Sequence, residues 1–249
     1  MKSNLITLTT DFGDDLYVAQ IKGRILSINP DVKIVDLTHK ISKYNIVEGA
    51  FFLLQVVDYF PKSTIHIVVV DPGVGGTRKE TIIETDNGIF VGPDNGIFSP
   101  VLKNRNIKKI IEIDKSKLPG KISQTFHGRD IFAPIAARLS LDEKPETLGN
   151  KKQKIKKLIL KKNSVAYIDA FGNIITTCDK KFKINDELII KLKNKKHSAK
   201  FVKTFSDVSS GGLLVLEGSS GFLEVDVNRG NAARKLNARV GDKIEILKC

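Results

Sequence analysis

Cysteine is scarce: Cys178 and Cys249 are the only two in 249 residues. They make no disulfide framework and have no metal-site spacing, so a reducing cytoplasm is the expected compartment. Long apolar runs are missing too. None approaches the roughly 20 residues that cross a bilayer. The opening MKSNLITLTTDFG reads as a short strand meeting a turn, without the apolar stretch or small-residue cleavage site of a secretory leader. No membrane partner is expected. Aromatic residues make up only 7% of the chain, and none is interleaved with the lysine runs KKQKIKKLILKK (151–162) and KLKNKKHSAK (191–200). A single-strand nucleic-acid platform needs rings among its cations, and no zinc, helix-turn-helix or RNA-recognition signature is present. The net charge of +13 therefore reads as a solvated lysine-rich surface, and no nucleic-acid partner is expected.

What is present is alternation. Up to about residue 113, strand-like runs (LITLTT, KIVDLT, TIHIVVV, TIIETD, GIFVG, IKKIIEI) are interspersed with helical patterns. In Tyr17–Ile28 the apolar residues Val18, Ile21, Ile25 and Ile28 form one stripe at spacings of 3 and 4. Ile46–Val57 and Ile131–Leu139 behave similarly, with Pro134 suited to a first turn. The expected fold is an α/β N-terminal domain with a mixed, partly parallel sheet flanked by helices. After Gly149 come short strands separated by turn residues: Lys156–Leu160, Ser164–Ile168, Asn173–Thr177, Leu188–Leu192, Leu213–Leu216, Phe222–Val227 and Lys243–Leu247. They suggest a small C-terminal β-barrel domain. The expected division is 1–150 for the α/β domain, 151–162 for a linker or first strand, and 163–249 for the barrel.

Ligands of α/β sheets bind beyond the carboxyl ends of strands, so polar residues there are the site candidates. Asp11 follows LITLTT, where it could accept the hydroxyls of a ribose or cap the next helix. In IVVVDPGVGGTR, Ile67–Val70 reads as a strand buried on both faces. Asp71 emerges at its tip. Gly73, Gly75 and Gly76 are expected at positive φ, returning Arg78 to the same mouth. A structural Asp–Arg pair and a functional one are both open on this stretch alone. GPDNGIFSP (92–100) reads as a structural turn. TFHGRDIF (125–132) crowds His127, Arg129 and Asp130 before a helix, a better setting for chemistry than a lone histidine has. His39 is a weaker candidate, His66 reads as core and His197 as exposed surface. Later, YIDAFGN places Asp169 and Asn173 around an aromatic and a glycine. GSSGFLEVDVNRGNAA (218–233) has the look of a pocket rim, where Asn228 and backbone amides could read a purine edge and Phe could stack on its face. Ordinary barrel turns explain both stretches equally well.

Taken together, TTDFG, YVAQIKG, VVDPGVGGTR, GPDNG, TFHGRD, IDAFGN and EGSSGFLEVDVNRGNAA resemble, in order from about residue 6 to 236, the S-adenosyl-L-methionine hydrolases (adenosine-forming), or hydroxide adenosyltransferases. These are relatives of the fluorinases and chlorinases. The resemblance implies a homotrimer, with active sites between one subunit's N-terminal domain and a neighbour's C-terminal domain. The implied reaction is attack of a water-derived hydroxide on C5′ of S-adenosyl-L-methionine, giving adenosine and L-methionine without a cofactor or metal. It places the catalytic Asp–Arg–His set on Asp71, Arg78 and His127, and the ribose carboxylate on Asp11. Asp169 falls near the methionine amino group, Asn173 on a further substrate contact and Ser220 on the methionine carboxylate. The chain departs from its halogenase relatives at Gly221, where they carry arginine. A halogenase of the same superfamily and a non-catalytic adenosine or S-adenosyl-L-methionine binder are the alternatives.

Overall fold

The computed structural model describes residues 4–219 and 221–249, which divide into two compact units, Met1–Leu158 and Ile159–Cys249. The first is built on a seven-stranded mixed sheet. Its strands are β1 (Leu5–Thr10), β2 (Lys33–Thr38), β3 (Ile65–Val69), β4 (Glu80–Thr85), β5 (Gly88–Pro93), β6 (Ile107–Ile113) and β7 (Gly149–Lys151), in the order β2-β1-β3-β5-β4-β6-β7. The β1–β2, β1–β3 and β3–β5 pairs are parallel, whereas β4 runs antiparallel to β5 and β6.

Successive residues of β3 point to opposite faces, and both faces are covered. Ile65, Ile67 and Val69 pack in one apolar cluster with Ile21 and Ile25 of α1 (Leu16–Leu26) and with Ile135, Ala136 and Leu139 of α3 (Ala133–Ser140). Val68 and Val70 pack in another with Ala50 and Leu53 of α2 (Ile46–Val56). Each large side chain so buried contributes about 1.5–3 kcal/mol. Because α1 and α2 cover opposite faces and the strand order reads β2-β1-β3, the connections diverge on either side of β1. Such a switch point opens a crevice between the carboxyl ends of neighbouring strands. Here those strands are β1 and β3.

The second unit carries another seven-stranded sheet. Its strands are β8 (Val165–Ile168), β9 (Ile174–Thr176), β10 (Glu187–Leu192), β11 (Lys195–Phe201), β12 (Leu213–Glu217), β13 (Leu223–Val227) and β14 (Ile244–Lys248). The order is β14-β10-β11-β12-β13-β9-β8, antiparallel except for β11–β12. The sheet curls as a half-barrel, and its ends meet around the isolated bridge Ser164–Lys243. Val165, Val225, Leu188 and Ile246 fill the concave core, joined by Ala232 and Leu236 of the short helix α4 (Ala232–Leu236).

Two details differ from expectation. Lys156–Leu160 forms no strand. Ile155 and Leu158 instead pack against the α2-side cluster, and the Leu158 and Lys156 amides donate to Ser99 and Asp94 side chains, which removes them from any ladder. His197 is half-buried, not exposed, because β11 pairs it with Ile190 of β10. Among the described residues, no helix is long and apolar enough to cross a membrane.

Candidate active site

Thr10 of β1 pairs with Val69 of β3, so the chain leaves the sheet side by side at Asp11 and at Val70–Asp71. A cavity of about 280 Å3 opens there, lined among others by Asp11, Tyr17, Tyr44, Asp71, Phe126 and His127. That volume is near the lower end of the roughly 300–1,000 Å3 usual for small-molecule sites. Phe12, Tyr17 and Phe126 form an aromatic wall with centroids 5.1–5.9 Å apart, Phe126 meeting both other rings edge-to-face.

The Asp71–Arg78 loop folds back through two tight turns, Val74 N–H to Asp71 O and Gly76 N–H to Gly73 O. Of its three glycines only Gly75 has positive φ, +73°, and a Cβ there would lie 2.3 Å from the carbonyl oxygen of Gln124. That contact lets the loop lie against the segment bearing His127. Gly73 and Gly76 do not have the positive φ expected of them. They are small for space, since a Cβ would meet Arg78 Cγ at 3.2 Å and Gly73 O at 3.1 Å.

Arg78 is the hub. Its Nε donates to Asp71 Oδ1 at 3.0 Å and one Nη2 hydrogen goes to Asp71 Oδ2, a bidentate fork. Nη1 donates to Glu80 Oε1, and Nη2 also lies 2.8 Å from His127 Nδ1. The guanidinium rests over the Phe132 ring, 5.9 Å from its centroid. Three of its five N–H hydrogens are thus engaged by carboxylates among the described residues, and the second Nη2 hydrogen faces His127 Nδ1. One Nη1 hydrogen remains for a ligand.

His127 begins a single π turn, Gly128–Phe132, which runs directly into α3. Such turns concentrate at functional sites. Its side chain is buried, and Nε2 has no hydrogen-bond partner among the described residues. Burial, then the Arg78 charge, hold the imidazole below its ordinary pKa, with Glu80 opposing; His127 is therefore neutral at neutral pH. Glu80 went unnoticed in the sequence. It is buried at the head of β4 and touches Arg78, His127 and Lys115. Burial alone would raise its pKa, but Lys115 and Arg78 outweigh that and hold it below the usual carboxylate range. The available signal was its place two residues after Arg78, at the start of β4. The two carboxylates and two cations cancel.

Asp11 is buried, and its Oδ2 accepts from the Tyr44 amide at 2.8 Å, with Tyr44 at φ 65°. Asp11 does not cap α1. Asp15 does, accepting from Leu16 N–H, which removes the helix-cap alternative for Asp11. Other sequence candidates have structural partners. Asp94 accepts from Lys152 and from the Lys156 amide, Asn95 donates to Val70 O, and Arg129 and Asp130 pair with each other. His39 bonds to Thr10, and His66 is buried against Thr7 and Phe90.

Asp169 and Asn173 belong to the second unit. Asp169 accepts from the Phe171 and Asn173 amides and from the Asn173 side chain, each at 2.9 Å. Both residues line an open cleft with Phe171, Glu224 and Arg229. Asn228 does not line that cleft: its side-chain amide donates to Val208 O at 2.7 Å, pinning the loop before β12. Ser220 lies outside the described residues.

The family model for the SAM hydroxide adenosyltransferase N-terminal domain matches residues 6–149, and that for the C-terminal domain matches residues 163–245. The chain is 41% identical to the (R)-S-adenosyl-L-methionine hydrolase of Methanocaldococcus jannaschii, over 98% of this chain and 96% of that protein. It is similar to the crystal structure of an uncharacterized conserved protein from Thermotoga maritima, at 36% identity and a TM-score of 0.91, over 98% of this chain and 100% of that one. The fluorinase of Actinopolyspora mzabensis is more distant, at 26% identity over 60% of this chain and 58% of that protein.

Proposed function

We propose that this chain, which belongs to the S-adenosyl-L-methionine hydroxide adenosyltransferase family, hydrolyses S-adenosyl-L-methionine to adenosine and L-methionine. The observation that carries the reading is the meeting of Asp71 and His127, joined through Arg78, at a nucleoside-scale cavity that also holds Asp11. The sulfonium is already a leaving group, so the chemistry asks for no cofactor; what must be supplied is the nucleophile. Water attacks C5′, the C5′–S bond breaks, its electron pair leaves with the neutral thioether of methionine, and the water's proton passes to His127 Nε2. Arg78 stabilises the developing hydroxide with its remaining Nη1 hydrogen, and Asp71 holds Arg78 and orients the water. An anion meeting a cation loses charge in the transition state, so a dry pocket favours the step once water is positioned.

Asp11 holds the ribose diol through Oδ1, which has no hydrogen bond among the described residues. Replacing Asp11 with Ala is expected to raise KM about 10- to 100-fold, as loss of charge-assisted hydrogen bonds does, with a smaller change in kcat; steady-state kinetics check this. Asp169, Asn173 and Ser220 hold the amino-acid portion, and we read the second sheet as the family's small β-barrel. The cavity lined by Asp11, Asp71 and His127 draws on the first unit alone and Asp169 belongs to the second, which supports an active site shared in a homotrimer. Light scattering tests that assembly, and a monomer would contradict it. Asn228 acts by holding its loop. The compartment consistent with this substrate is the cytoplasm.

The deciding experiment incubates the protein with each sulfonium epimer of S-adenosyl-L-methionine in 18O-labelled water, with and without chloride or fluoride. Adenosine carrying the label at its 5′ oxygen is the expected product, and the (R) form named for the archaeal relative is the expected better substrate. Halogenated nucleoside would favour the halogenase alternative, and binding without turnover the binder. His127→Ala is expected to lower kcat about 10²–10⁴-fold, the range of general-base catalysis. The acidic limb of wild-type kcat/KM should lie below the ordinary imidazole pKa, because burial and Arg78 favour the neutral ring. Should His127→Ala turn over normally while Asp71→Ala is dead, the two roles must be exchanged.

A further inference from the structure

We propose that Glu80 is a positioning residue for the hydrolytic step: its carboxylate accepts a hydrogen bond from His127 Nδ1–H, holding the proton there and leaving Nε2 as the bare acceptor for the proton of the attacking water. This rests on the hydrolytic reading above and extends it to a residue outside the Asp–Arg–His set.

His127 Nδ1 lies 2.8 Å from Arg78 Nη2 and 3.0 Å from Glu80 Oε1. A guanidinium can only donate and an ionised carboxylate can only accept, so these neighbours demand opposite tautomers. If Nδ1 accepts from Arg78, the proton sits on Nε2, and the ring can then only donate to a water in the cavity. If Nδ1–H donates to Glu80, Nε2 carries a lone pair toward a proton in need of an acceptor. Arg78 does not need His127 for its own alignment, because Asp71 already holds it by two hydrogen bonds and Glu80 by a third. An imidazole whose one nitrogen is anchored on an anion has its tautomer and ring plane fixed by that anchor.

Glu80 is built for that task. It is buried at the first position of β4, where its backbone is paired with Pro93 of β5. Lys115 reaches it from beyond β6 with Nζ 2.9 Å from Oε1, which keeps the carboxylate ionised inside the protein. The charged groups that act on His127 are Arg78 and Glu80 flanking the start of β4, Lys115 after β6 and Asp71 after β3. Of these, Arg78 and Lys115 disfavour the imidazolium while Glu80 and Asp71 favour it. Removing the Glu80 charge therefore moves His127 toward a still lower pKa.

The test uses the full chain labelled with 15N-histidine. Only four histidines are present, so two-bond proton–nitrogen correlation spectra resolve the His127 tautomer directly. The wild type at pH 7.5 is expected to show Nδ1–H at His127, and Glu80→Met to show Nε2–H. In turnover, Glu80→Met is expected to lose about 10²-fold in kcat, the lower end of general-base contributions, with KM within about threefold on the same reasoning. Glu80→Gln, which keeps an acceptor oxygen, should recover part of that loss while shifting the acidic limb of the pH profile downward. An Nε2–H tautomer in the wild type, or wild-type kcat in Glu80→Met, overturns the proposal; the first readout needs no variant to fold. Failure of the wild type to release adenosine would instead sink the hydrolytic reading, and the tautomer measurement would still stand apart from it.

Discussion

Replacing Arg78 with Lys is expected to lower kcat for adenosine release by about 10²–10³-fold, comparable to losing one preorganised donor from an oxyanion site, while the protein stays folded. The argument is geometric. Arg78 meets two Asp71 oxygens, Glu80 and His127 at once, through a planar fork over the Phe132 ring. A lysine ammonium has three donors on a flexible stem and cannot meet three carboxylate oxygens in a plane while keeping a hydrogen for the nucleophile. Its charge still separates Asp71 from Glu80, so the buried carboxylates are not left to repel each other. Arg78→Met removes that as well, and a buried pair broken on one side costs about 3–5 kcal/mol; it should lose stability together with activity. Product chromatography alongside thermal melts separates the two effects. Turnover of Arg78→Lys within a few-fold of wild type would mean that the fork is not used in the chemical step.

Much of this arrangement could be read from the residues. The β3 run was legible because Ile67–Val70 has no polar alternation, and α1 because its stripe repeats at 3 and 4. The convergence of Asp11 with Asp71 follows from a general property of parallel strands, whose carboxyl ends open to one side. What stayed hidden was long-range or masked by lysine. β11 (KKHSAKF) buries only Ala199 and Phe201, and its lysines made it look like solvated surface. The π turn before α3 shows no period of its own in so short a stretch. Glu80 was obscured because a glutamate at a strand start is usually a solvated end residue; only the folded β3–β4 connection reveals that Arg78 turns back over it. Asn228 has a structural partner that its motif did not reveal. Its motif lies beside the cleft, but its side chain is spent on Val208.

Asp226 leads to a prediction about stability. Alternation along β13 sends Leu223, Val225 and Val227 into the concave core and leaves Asp226 on the other face, opposite Leu214 of β12. Leu214 clusters there with Val202, Leu216 and Val208. Asp226 has no exposed surface, and neither carboxylate oxygen has a hydrogen-bond partner among the described residues. Burial, aided by the nearby Glu224 and Asp169 charges, pushes its pKa up to about 8. The unfolded chain ionises this group near pH 4, so between about pH 4 and 8 the native state keeps a proton that the unfolded state has released. Stability then falls as pH rises through that window, by at most about 1.4 kcal/mol per pH unit, and levels off above it. Asn mimics the protonated acid in shape and charge, so Asp226→Asn should match the wild type near pH 4–5 and exceed it at pH 8–9 by about 2–4 kcal/mol, within the range that relieving a buried charge can yield. Urea unfolding of both proteins across pH 5–9 reads this as a difference in which all other titrations cancel. A difference that does not change with pH would mean that Asp226 is ionised throughout and held by a cation. On the expected outcome, a neutral Asp226 spares the neighbouring cleft of Asp169 and Glu224 one negative charge.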